Sequence, residues 1–442
     1  MILERCLARL PEIEPARLLG RVTQVVGLVA ECEGLALPVG ALCEIRTRDR
    51  ERVRCEVVGF RQDATLLMPL GELLGIRRGD EVACLSTVQR VPVGHALLGR
   101  VIDSLGTPID GGPDLAAELT APLHARPPHP LARQRIREPL STGVRAIDAL
   151  NTCGKGQRVG LFSGSGVGKS TLLGMCARAT DADVAVIALV GERGREVREF
   201  IEKDLGPEGL RRSVVVVETS ERPALLRVRA PFTATAVAEH FRDQGKDVLL
   251  LMDSITRMAM AQREIGLSAG EPGTTKGFPP SVFAQMPRLL ERAGRSDRGS
   301  ITGIYSVLVE GDDMNEPIGD TARSILDGHV WLSRELAVRG HYPAVDPLAS
   351  VSRLMGDVAS PGHREAATRV RALLAAYKGA EDLINVGAYA KGANPEIDLA
   401  VRSNPAILKL LRQGVEEKAP FEESVRKLLD LVKGFGEAPK HG

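Results

Sequence analysis

The stretch that decides the fold is Ser163-Gly-Ser-Gly-Val-Gly-Lys-Ser170. It follows an apolar run ending at Phe162 and precedes a helical pattern over Thr171–Ala179. Its three glycines let the backbone curl so that several N–H groups point inward, and the following helix adds the positive end of its dipole. This strand–loop–helix order predicts a phosphate-binding loop, or P-loop.

The loop predicts which residues contact a nucleotide. Lys169 supplies a positive charge for the β- and γ-phosphates, and the Ser170 hydroxyl supplies a ligand for Mg²⁺. The first position, usually glycine, is Ser163 here, whereas the Gly-Lys-Ser end of the pattern is intact. The predicted nucleotide-binding residues of the loop are Ser163, Gly164, Ser165, Gly166, Val167, Gly168, Lys169, Ser170 and Thr171.

Two carboxylates follow apolar runs that are predicted to be strands. Asp253 ends the run that starts at Asp247, where a Walker B aspartate holds Mg²⁺ through water. Glu192 follows another such run, and the carboxyl ends of adjacent parallel strands form the ligand crevice of an open α/β sheet. A carboxylate there can orient or deprotonate the attacking water. The alternative for Glu192 is a surface ion pair with Arg193 or Arg195.

From about residue 145 onward, strand and helix patterns alternate along the chain. This alternation predicts an α/β fold, with a RecA-like P-loop core whose mostly parallel sheet is covered on both faces. The candidate strands are Arg158–Phe162, Val184–Val190, Ser213–Glu218, Asp247–Met252, Ile301–Val309 and His329–Leu332. The predicted core spans 91–358 and includes a proline- and arginine-rich connector at 121–140, which we expect to be extended and solvated.

The two ends of the chain have different patterns. Short apolar runs between glycines over 20–90 predict a small β-barrel or sandwich. These runs are Arg21–Glu31, Leu35–Val39, Leu42–Arg46, Val53–Phe60 and Glu81–Val88. Helical patterns predict a C-terminal helical domain over 359–442. Residues 1–19 carry leucines at helical spacing, which indicates either a frayed terminal helix or an amphipathic segment that binds a partner.

Composition excludes several classes of protein. Of 442 residues, 43% are hydrophobic and 26% are charged, which is ordinary for a folded globular chain and excludes a disordered one. Lys and Arg total 58 against 57 for Asp and Glu, and aromatic residues make up only 3%, so a nucleic-acid partner is not expected. The seven cysteines show no zinc-site spacing, which favours a reducing, cytoplasmic setting.

Three further stretches resemble the ATP synthase α/β family. Pro343-Ala-Val-Asp-Pro-Leu-Ala-Ser-Val-Ser352 looks like its signature, and Val91-Pro-Val-Gly94 and Leu98-Gly-Arg-Val-Ile-Asp-Ser-Leu-Gly106 are similar to the segments ahead of its core. The resemblance covers barrel, core and helical tail. It implies that Glu192 is the catalytic carboxylate, and that Arg193, the neighbouring arginine of the same motif, is also among the catalytic residues.

The same resemblance implies two roles that the residues alone do not indicate. Tyr342 matches the aromatic residue that stacks on adenine; the alternative is a tyrosine of the core. Arg353 matches the arginine finger that reaches the nucleotide of a neighbouring subunit. The family therefore implies a homohexamer in which each interface completes one site.

Within the family, the chain is most similar to the type III export ATPases. The stretches that carry this similarity are Glu310-Gly-Asp-Asp-Met-Asn-Glu-Pro317, Ile325-Leu-Asp-Gly-His329, Phe278-Pro-Pro-Ser-Val-Phe283 and Leu289-Leu-Glu-Arg-Ala-Gly294. The form of the P-loop and the stretch Asn385–Pro395 resemble the flagellum-specific branch. Injectisome relatives tend to differ at both places.

This branch implies a Mg²⁺-dependent ATPase that drives flagellar protein export from the cytoplasm, at the periphery of the inner membrane. The implied partners are a stator-like regulator at the N-terminus, membrane proteins of the export gate and chaperone–substrate complexes. A virulence injectisome ATPase is the alternative. A rotary ATP synthase catalytic subunit is disfavoured because Tyr389–Asp398 replaces its acidic Asp-Glu-Leu-Ser-Glu-Glu-Asp segment. A hexameric RNA translocase is disfavoured by composition.

Overall fold

The computed structural model describes residues 19–115, 119–309, 311, 313 and 316–435. The predicted partner-binding segment 1–19 lies outside these ranges apart from Leu19. None of the helices within these ranges combines the length and apolarity needed to cross a bilayer.

Six short strands at the N-terminal end close into a barrel in the order β1-β2-β5-β4-β3-β6, which confirms the barrel and not the sandwich. They are β1 Leu19–Val26, β2 Val29–Glu33, β3 Leu42–Arg46, β4 Arg52–Arg61, β5 Ala64–Pro69 and β6 Glu81–Ser86. The barrel is filled by small and branched side chains such as Val22, Cys43, Ile45 and Val57. Closing the sheet removes the unpaired edges that a short open sheet would expose.

The barrel differs from the sequence prediction in three places. The run Arg21–Glu31 is divided between two strands because Gly27, at φ 58°, turns the chain. The run Leu35–Val39 forms no strand; Pro38 has no N–H to donate to a ladder, although the leucines of this run are buried. The strand Ala64–Pro69 was not predicted, and it pairs with both β2 and β4.

A mostly parallel sheet forms the core, as predicted. The strands from Arg90 onward are β7 Arg90–Val93, β8 Val101–Ile102, β9 Leu119–Pro122, β10 Pro139–Leu140, β11 Cys153–Gly154, β12 Arg158–Ser163, β13 Val184–Glu192, β14 Ser213–Thr219, β15 Asp247–Asp253, β16 Gly294–Arg295, β17 Ser300–Leu308, β18 Gly328–Leu332 and β19 Val345–Ser352. The order of the core sheet in the described residues is β19-β18-β12-β17-β15-β13-β14-β8, with β16 antiparallel to β17. Two small pairs, β7 with β9 and β10 with β11, lie outside this sheet.

The six predicted core strands are present with ends shifted by one or two residues, whereas β8 and β19 were missed. β8 has two residues, too few to show a periodicity. β19 contains Pro347 and lies at the sheet edge, antiparallel to β18, where a missing N–H is tolerated.

Helices cover both faces of the sheet. Alternate residues of each buried strand point to opposite faces, so Val186 and Leu250 join one apolar cluster, and Ile187 and Leu249 join the other. The α-helices of the described residues are Arg145–Leu150, Lys169–Ala179, Gly194–Glu199, Gly206–Arg211, Ala224–Asp243, Ile255–Ala269, Pro280–Leu290, Pro317–Ile325, Arg334–Val338, Met355–Val358, Pro361–Asn385, Pro395–Leu411 and Phe421–Lys433. A π-helical turn spans Phe200–Leu205, and 3₁₀ turns span His95–Leu97, Pro130–Ala132 and Thr275–Gly277.

The connector 121–140 is largely extended, but its charge is not uniformly solvated. Arg133 is half-buried, donates to the Ala293 carbonyl at 2.9 Å and pairs with Glu291 at 3.0 Å. The prediction of a wholly solvated connector was therefore wrong at Arg133, which ties the connector to the core. Leu123 and Leu140 anchor its two ends in the apolar clusters.

Candidate active site

The P-loop lies where β12 gives way to the helix Lys169–Ala179. Gly166 and Gly168 have φ of 78° and 89°, values that a residue with a β-carbon rarely adopts. Val167 is buried and anchors the loop in the core, whereas Ser165 and Gly166 are exposed. Ser163 ends the strand in extended backbone, so this first position does not need glycine. Its hydroxyl is buried without a hydrogen-bond partner among the described residues.

Three charged residues meet beside the loop because four adjacent parallel strands, β12, β17, β15 and β13, end there. The Lys169 ammonium contacts the Asp253 carboxylate and lies 3.9 Å from Glu192 Oε1. The Ser306 hydroxyl, at the end of β17, donates to Asp253 Oδ1 at 2.7 Å. The predicted lysine, Walker B aspartate and catalytic carboxylate are therefore in one largely buried cluster.

Arg257 belongs to this cluster and was missed by the sequence analysis. Its Nε lies 3.1 Å from Glu192 Oε1 and its Nη2 lies 3.2 Å from Oε2, while Nη1 donates to the Gly191 carbonyl at 2.6 Å. Ser254 caps the helix Ile255–Ala269 by accepting from the Arg257 N–H at 3.3 Å. The position of Arg257 in the first turn after Asp253 was the available signal, but it does not show which carboxylate is contacted.

The alternative of a surface ion pair for Glu192 was wrong. Arg193 is exposed and pairs with Glu196 at 3.4 Å, and Arg195 lies 3.9 Å from Glu199. Both arginine side chains belong to the helical turn after β13. The structure therefore does not bring the Arg193 side chain into the cluster, although its backbone is next to Glu192.

The surroundings of Glu192 raise the pKa of its carboxyl group to about 7. Burial is the largest cause, and the charge of Asp253 and a hydrogen bond with Glu196 act in the same direction. The positive charges of Lys169 and Arg257 act against these causes and lower it. A carboxylate with a pKa near the working pH can accept a proton and later release it, which is the property that a general base requires.

Tyr342 lies over the start of the P-loop helix. A β-carbon built on Gly168 would be 3.6 Å from its ring, and nearly half of the tyrosine is exposed. This exposure is inconsistent with the alternative of a core tyrosine. An exposed aromatic ring beside the loop has the placement that base stacking requires.

Arg353 is not brought to the P-loop of its own chain. It follows β19, whose last residue, Ser352, is opposite Gly328, the first residue of β18. His329 is in turn opposite Gly160, near the start of β12, whereas the P-loop follows the end of β12. Arg353 is exposed at the amino ends of the parallel strands, where its Nη2 donates to the Arg323 carbonyl at 3.4 Å.

The oxygen atoms beside the loop suit a magnesium ion. Ser170 is exposed at the start of the helix, so its hydroxyl is accessible, and Asp253 presents a carboxylate. The contacts of Asp253 with Lys169 and with Ser306 both use its Oδ1 atom. Hard oxygen ligands of this kind, completed by water and phosphate, are what Mg²⁺ prefers.

Comparison with known sequence families divides the chain into three matches. Residues 143–352 match the nucleotide-binding domain of the ATP synthase alpha/beta family, and residues 22–86 match the beta-barrel domain of that family. Residues 359–430 match the T3SS EscN ATPase C-terminal domain.

Individual relatives are similar over nearly the whole chain. The Flagellum-specific ATP synthase of Bacillus subtilis is 54% identical over 417 residues, covering 93% of this chain and 95% of the relative. The Type 3 secretion system ATPase of Xanthomonas euvesicatoria is 50% identical over 433 residues, covering 98% of each chain. The assembled ATPase EscN of the enteropathogenic E. coli type III secretion system superposes with a TM-score of 0.89 at 45% identity, covering 93% of this chain and 100% of EscN.

Proposed function

Since this chain belongs to the family of flagellar and type III secretion ATPases, within the ATP synthase α/β family, we propose that it hydrolyses Mg-ATP to drive flagellar protein export. The observation that carries the proposal is the cluster of Lys169, Glu192 and Asp253 beside the P-loop. The flagellar assignment is further supported by the resemblance of the P-loop and of 385–395 to flagellar members. An injectisome ATPase is the second candidate, because relatives of both kinds are about equally similar.

Each side chain has a part in the proposed reaction. Lys169 exchanges its contact with Asp253 for the β- and γ-phosphates, while Ser170 and Asp253 hold the Mg²⁺ that arrives with ATP. That ion neutralises charge on the phosphate oxygens. Glu192 takes the proton of the attacking water, since its carboxyl group has a raised pKa and lies beside the lysine.

The remaining predicted residues position the substrate. Tyr342 stacks on adenine, and the backbone N–H groups of 163–171 surround the phosphates. Arg193 has an exposed side chain that pairs with Glu196, so we assign it to the rim of the site and not to proton transfer.

The position of Arg353 supports a site shared between subunits. The P-loop of the same chain lies at the opposite ends of the sheet strands, so we assign the guanidinium to the site of a neighbouring copy. We propose a homohexamer in which Arg353 completes the next subunit's site and stabilises charge on the transferring phosphoryl group. EscN, which is 45% identical, has been described as an assembled ATPase, in agreement with this arrangement.

Mixing two inactive variants tests this proposal. Lys169→Ala lacks a competent P-loop and Arg353→Ala lacks the finger, so each should hydrolyse ATP very slowly alone. In a mixed ring, some interfaces combine the intact P-loop of one variant with the intact finger of the other. Phosphate release should then rise above the sum of the two separate proteins. Wild-type turnover by dilute, monomeric Arg353→Ala would contradict the shared site.

The biological assignment includes location and partners. We propose that the protein acts in the cytoplasm at the inner-membrane export gate, with chaperone–substrate complexes and a stator-like regulator that binds the N-terminal segment. EscN has also been described in complex with its central stalk EscO, and we extend a stalk partner to this chain. A deletion strain should lose motility and flagellin secretion. Normal motility with loss of virulence-effector secretion would instead support the injectisome candidate.

A further inference from the structure

The C-terminal helical domain contacts the core beside the nucleotide site through residues 412–418, here called the clasp segment. This segment follows the helix Pro395–Leu411 and packs against the end of the P-loop helix. Arg178, near the end of that helix, donates from Nη2 to the Val415 carbonyl at 2.7 Å and lies 3.6 Å from Glu416. The clasp segment is therefore attached to the element that begins with Lys169.

Gln413 bonds through both its backbone and its side chain in this contact, and it is buried. Its backbone N–H donates to the Tyr342 carbonyl at 3.0 Å. Its side-chain Oε1 accepts from the Arg145 N–H at 2.8 Å, and its Nε2 donates at 2.8 Å to both the Gly143 and Glu417 carbonyls. Both amide hydrogens and the amide oxygen are thus engaged, so the side chain has one defined orientation.

Arg145 fixes the other side of the contact. Its Nη1 donates to the Leu410 and Arg412 carbonyls at 3.1 and 3.0 Å, which caps the end of the helix Pro395–Leu411. The same guanidinium pairs with Glu417 of the clasp segment. Because Arg145 is buried, this arrangement holds the backbone of the clasp segment at a set position relative to the core.

These contacts connect the two ends of the P-loop helix on the side where Tyr342 lies. Tyr342 faces Gly168 at the start of the helix, and Gly143 approaches Ala179 at its end so closely that a β-carbon on Gly143 would lie 2.2 Å from that of Ala179. Gln413 binds the backbone of both Tyr342 and Gly143. A displacement of the clasp segment would therefore move Tyr342 relative to the loop.

We infer that Gln413 is a positioning residue for the base-stacking Tyr342, and that it makes recognition of the adenine base depend on the C-terminal helical domain. This inference rests on the proposed role of Tyr342. The phosphate cluster of Lys169, Glu192 and Asp253 is held by contacts among its own members and with Ser306 and Arg257, and Gln413 takes part in none of these contacts. Loss of Gln413 should accordingly weaken the binding of the base and leave the binding of the phosphates unchanged.

The test uses the full chain and two probes, Mg-ATP and Mg-tripolyphosphate, which lacks a base. Gln413→Glu keeps the shape but removes both amide donors, and Gln413→Met is a second variant without a new charge. Each should raise the Kd for Mg-ATP about fivefold or more, because base stacking on an aromatic ring is worth a factor of this size. The Kd for tripolyphosphate should stay at the wild-type value. Gln262→Glu, equally buried and bonded to Ser281, is the matched control.

The variant Tyr342→Ala separates the two possible failures. If its Kd for Mg-ATP equals that of the wild type, the base-stacking role of Tyr342 is wrong and the inference falls with it. If its Kd rises, Gln413→Glu should cause no further rise in the Tyr342→Ala background, because Gln413 is inferred to act on the base only through the position of the Tyr342 ring. Equal weakening of ATP and tripolyphosphate, additive effects in the double variant, or no effect of either Gln413 variant would each overturn the inference.

Discussion

The strand Asp247–Asp253 carries an aspartate at each end, and each aspartate pairs with a lysine. At the amino end, Asp247 lies 2.7 Å from the Lys155 ammonium and accepts from the Ser300 hydroxyl at 2.7 Å. At the carboxyl end, Asp253 contacts Lys169 and accepts from the Ser306 hydroxyl, also at 2.7 Å. The two ends therefore carry the same three residue types. Lys155 and Ser300 contact different oxygens of Asp247, whereas Lys169 and Ser306 both contact Oδ1 of Asp253.

What differs is the surrounding electrostatics. At the amino end the side chains are more exposed, 18% for Lys155 and 30% for Asp247, against 12% and 4% for Lys169 and Asp253. Burial raises the pKa of Asp247, but its hydrogen bonds with Lys155 and Ser300 together outweigh burial, so the pKa lies below its usual value. At the carboxyl end, Glu192 is a second carboxylate near the same lysine, and its pKa is raised. The amino end pairs one lysine with one carboxylate. At the carboxyl end two carboxylates, Glu192 and Asp253, adjoin the same lysine, and Arg257 supplies the second positive charge through its pair with Glu192.

Arg353 lies at the amino ends of the parallel strands, far from the P-loop of its own chain. Its replacement should nevertheless have the largest effect on turnover, so it is the strongest test of the comparison between the two ends. Arg353→Ala should lower the kcat of the assembled protein about 10³- to 10⁵-fold, the usual worth of an arginine finger, while ATP still binds. Phosphate release and ATP affinity should be measured together. Arg364→Ala is the matched control, because Arg364 is also exposed and donates to a single carbonyl, that of Gly356 at 3.3 Å. Equal activity of the two variants would remove the finger assignment.

Glu192→Gln should have the next largest effect. The amide retains the shape but cannot accept a proton from water, so kcat should fall about 10²- to 10⁴-fold. The affinity for ATP should be nearly unchanged. Glu199→Gln, on the exposed turn after β13, serves as the control for a carboxylate outside the cluster. A parallel loss of affinity and turnover would show that Glu192 binds or supports the loop and is not the base.

Replacing Lys169 and Lys155, the lysines at the two ends of β15, should have a smaller effect on activity and compares the two ends directly. Lys169→Ala should lower kcat/KM about 10²- to 10³-fold, because a cation aimed at the phosphates is lost. Lys155→Ala should leave kcat/KM within about twofold and cost about 1 kcal/mol or less in the free energy of unfolding, since its ion pair is partly exposed. Both variants should be measured for turnover and for thermal unfolding. Similar losses of activity would mean that the two ends of the strand are not functionally distinct.

Of the two ends of the strand Asp247–Asp253, the carboxyl end was more predictable from the sequence. Lys169, Glu192 and Asp253 each stand beside an apolar run or in a glycine pattern, so a local signal marks them. That they meet in space follows from one rule, because parallel strands end at a common edge. The contact of Arg257 with Glu192 has no such signal. It joins residues 65 positions apart and depends on the rotation of a helix about its axis.

The barrel and the sheet edge show a second limit of the sequence patterns. Leu35–Val39 has the composition of a strand, but a proline and the tertiary position of the segment override that preference. Arg353 was assigned by resemblance, because nothing in its own segment distinguishes a finger from a surface charge. Its placement opposite the P-loop became evident only from the register of β18 and β19.

The smallest predicted effect is that of Arg257→Ala on the pH dependence of kcat/KM. Because burial and Asp253 raise the pKa of Glu192 to about 7, the active carboxylate form is lost as the pH falls through that value. The kcat/KM of the wild type, which reports the free enzyme, should therefore decline on the acid side of about pH 7. The Arg257 guanidinium holds this pKa down, so Arg257→Ala should move the decline to higher pH by about half a unit to one unit.

ATP itself titrates on the acid side of neutrality, so the pH profile of Glu192→Gln is needed as a reference. The part of the acid-side decline in kcat/KM that persists in Glu192→Gln is assigned to the titration of ATP. The rest of the wild-type decline is assigned to Glu192. Arg257→Lys should reverse part of this move to higher pH, because the lysine places a cation near Oε1 again. The reversal should be partial, since an ammonium lacks the paired geometry of the guanidinium. At pH 7, Arg257→Ala should retain about half or less of the wild-type kcat/KM and approach it at alkaline pH. A loss that is equal at every pH would instead mean that Arg257 acts on binding or folding and not on the ionisation of Glu192.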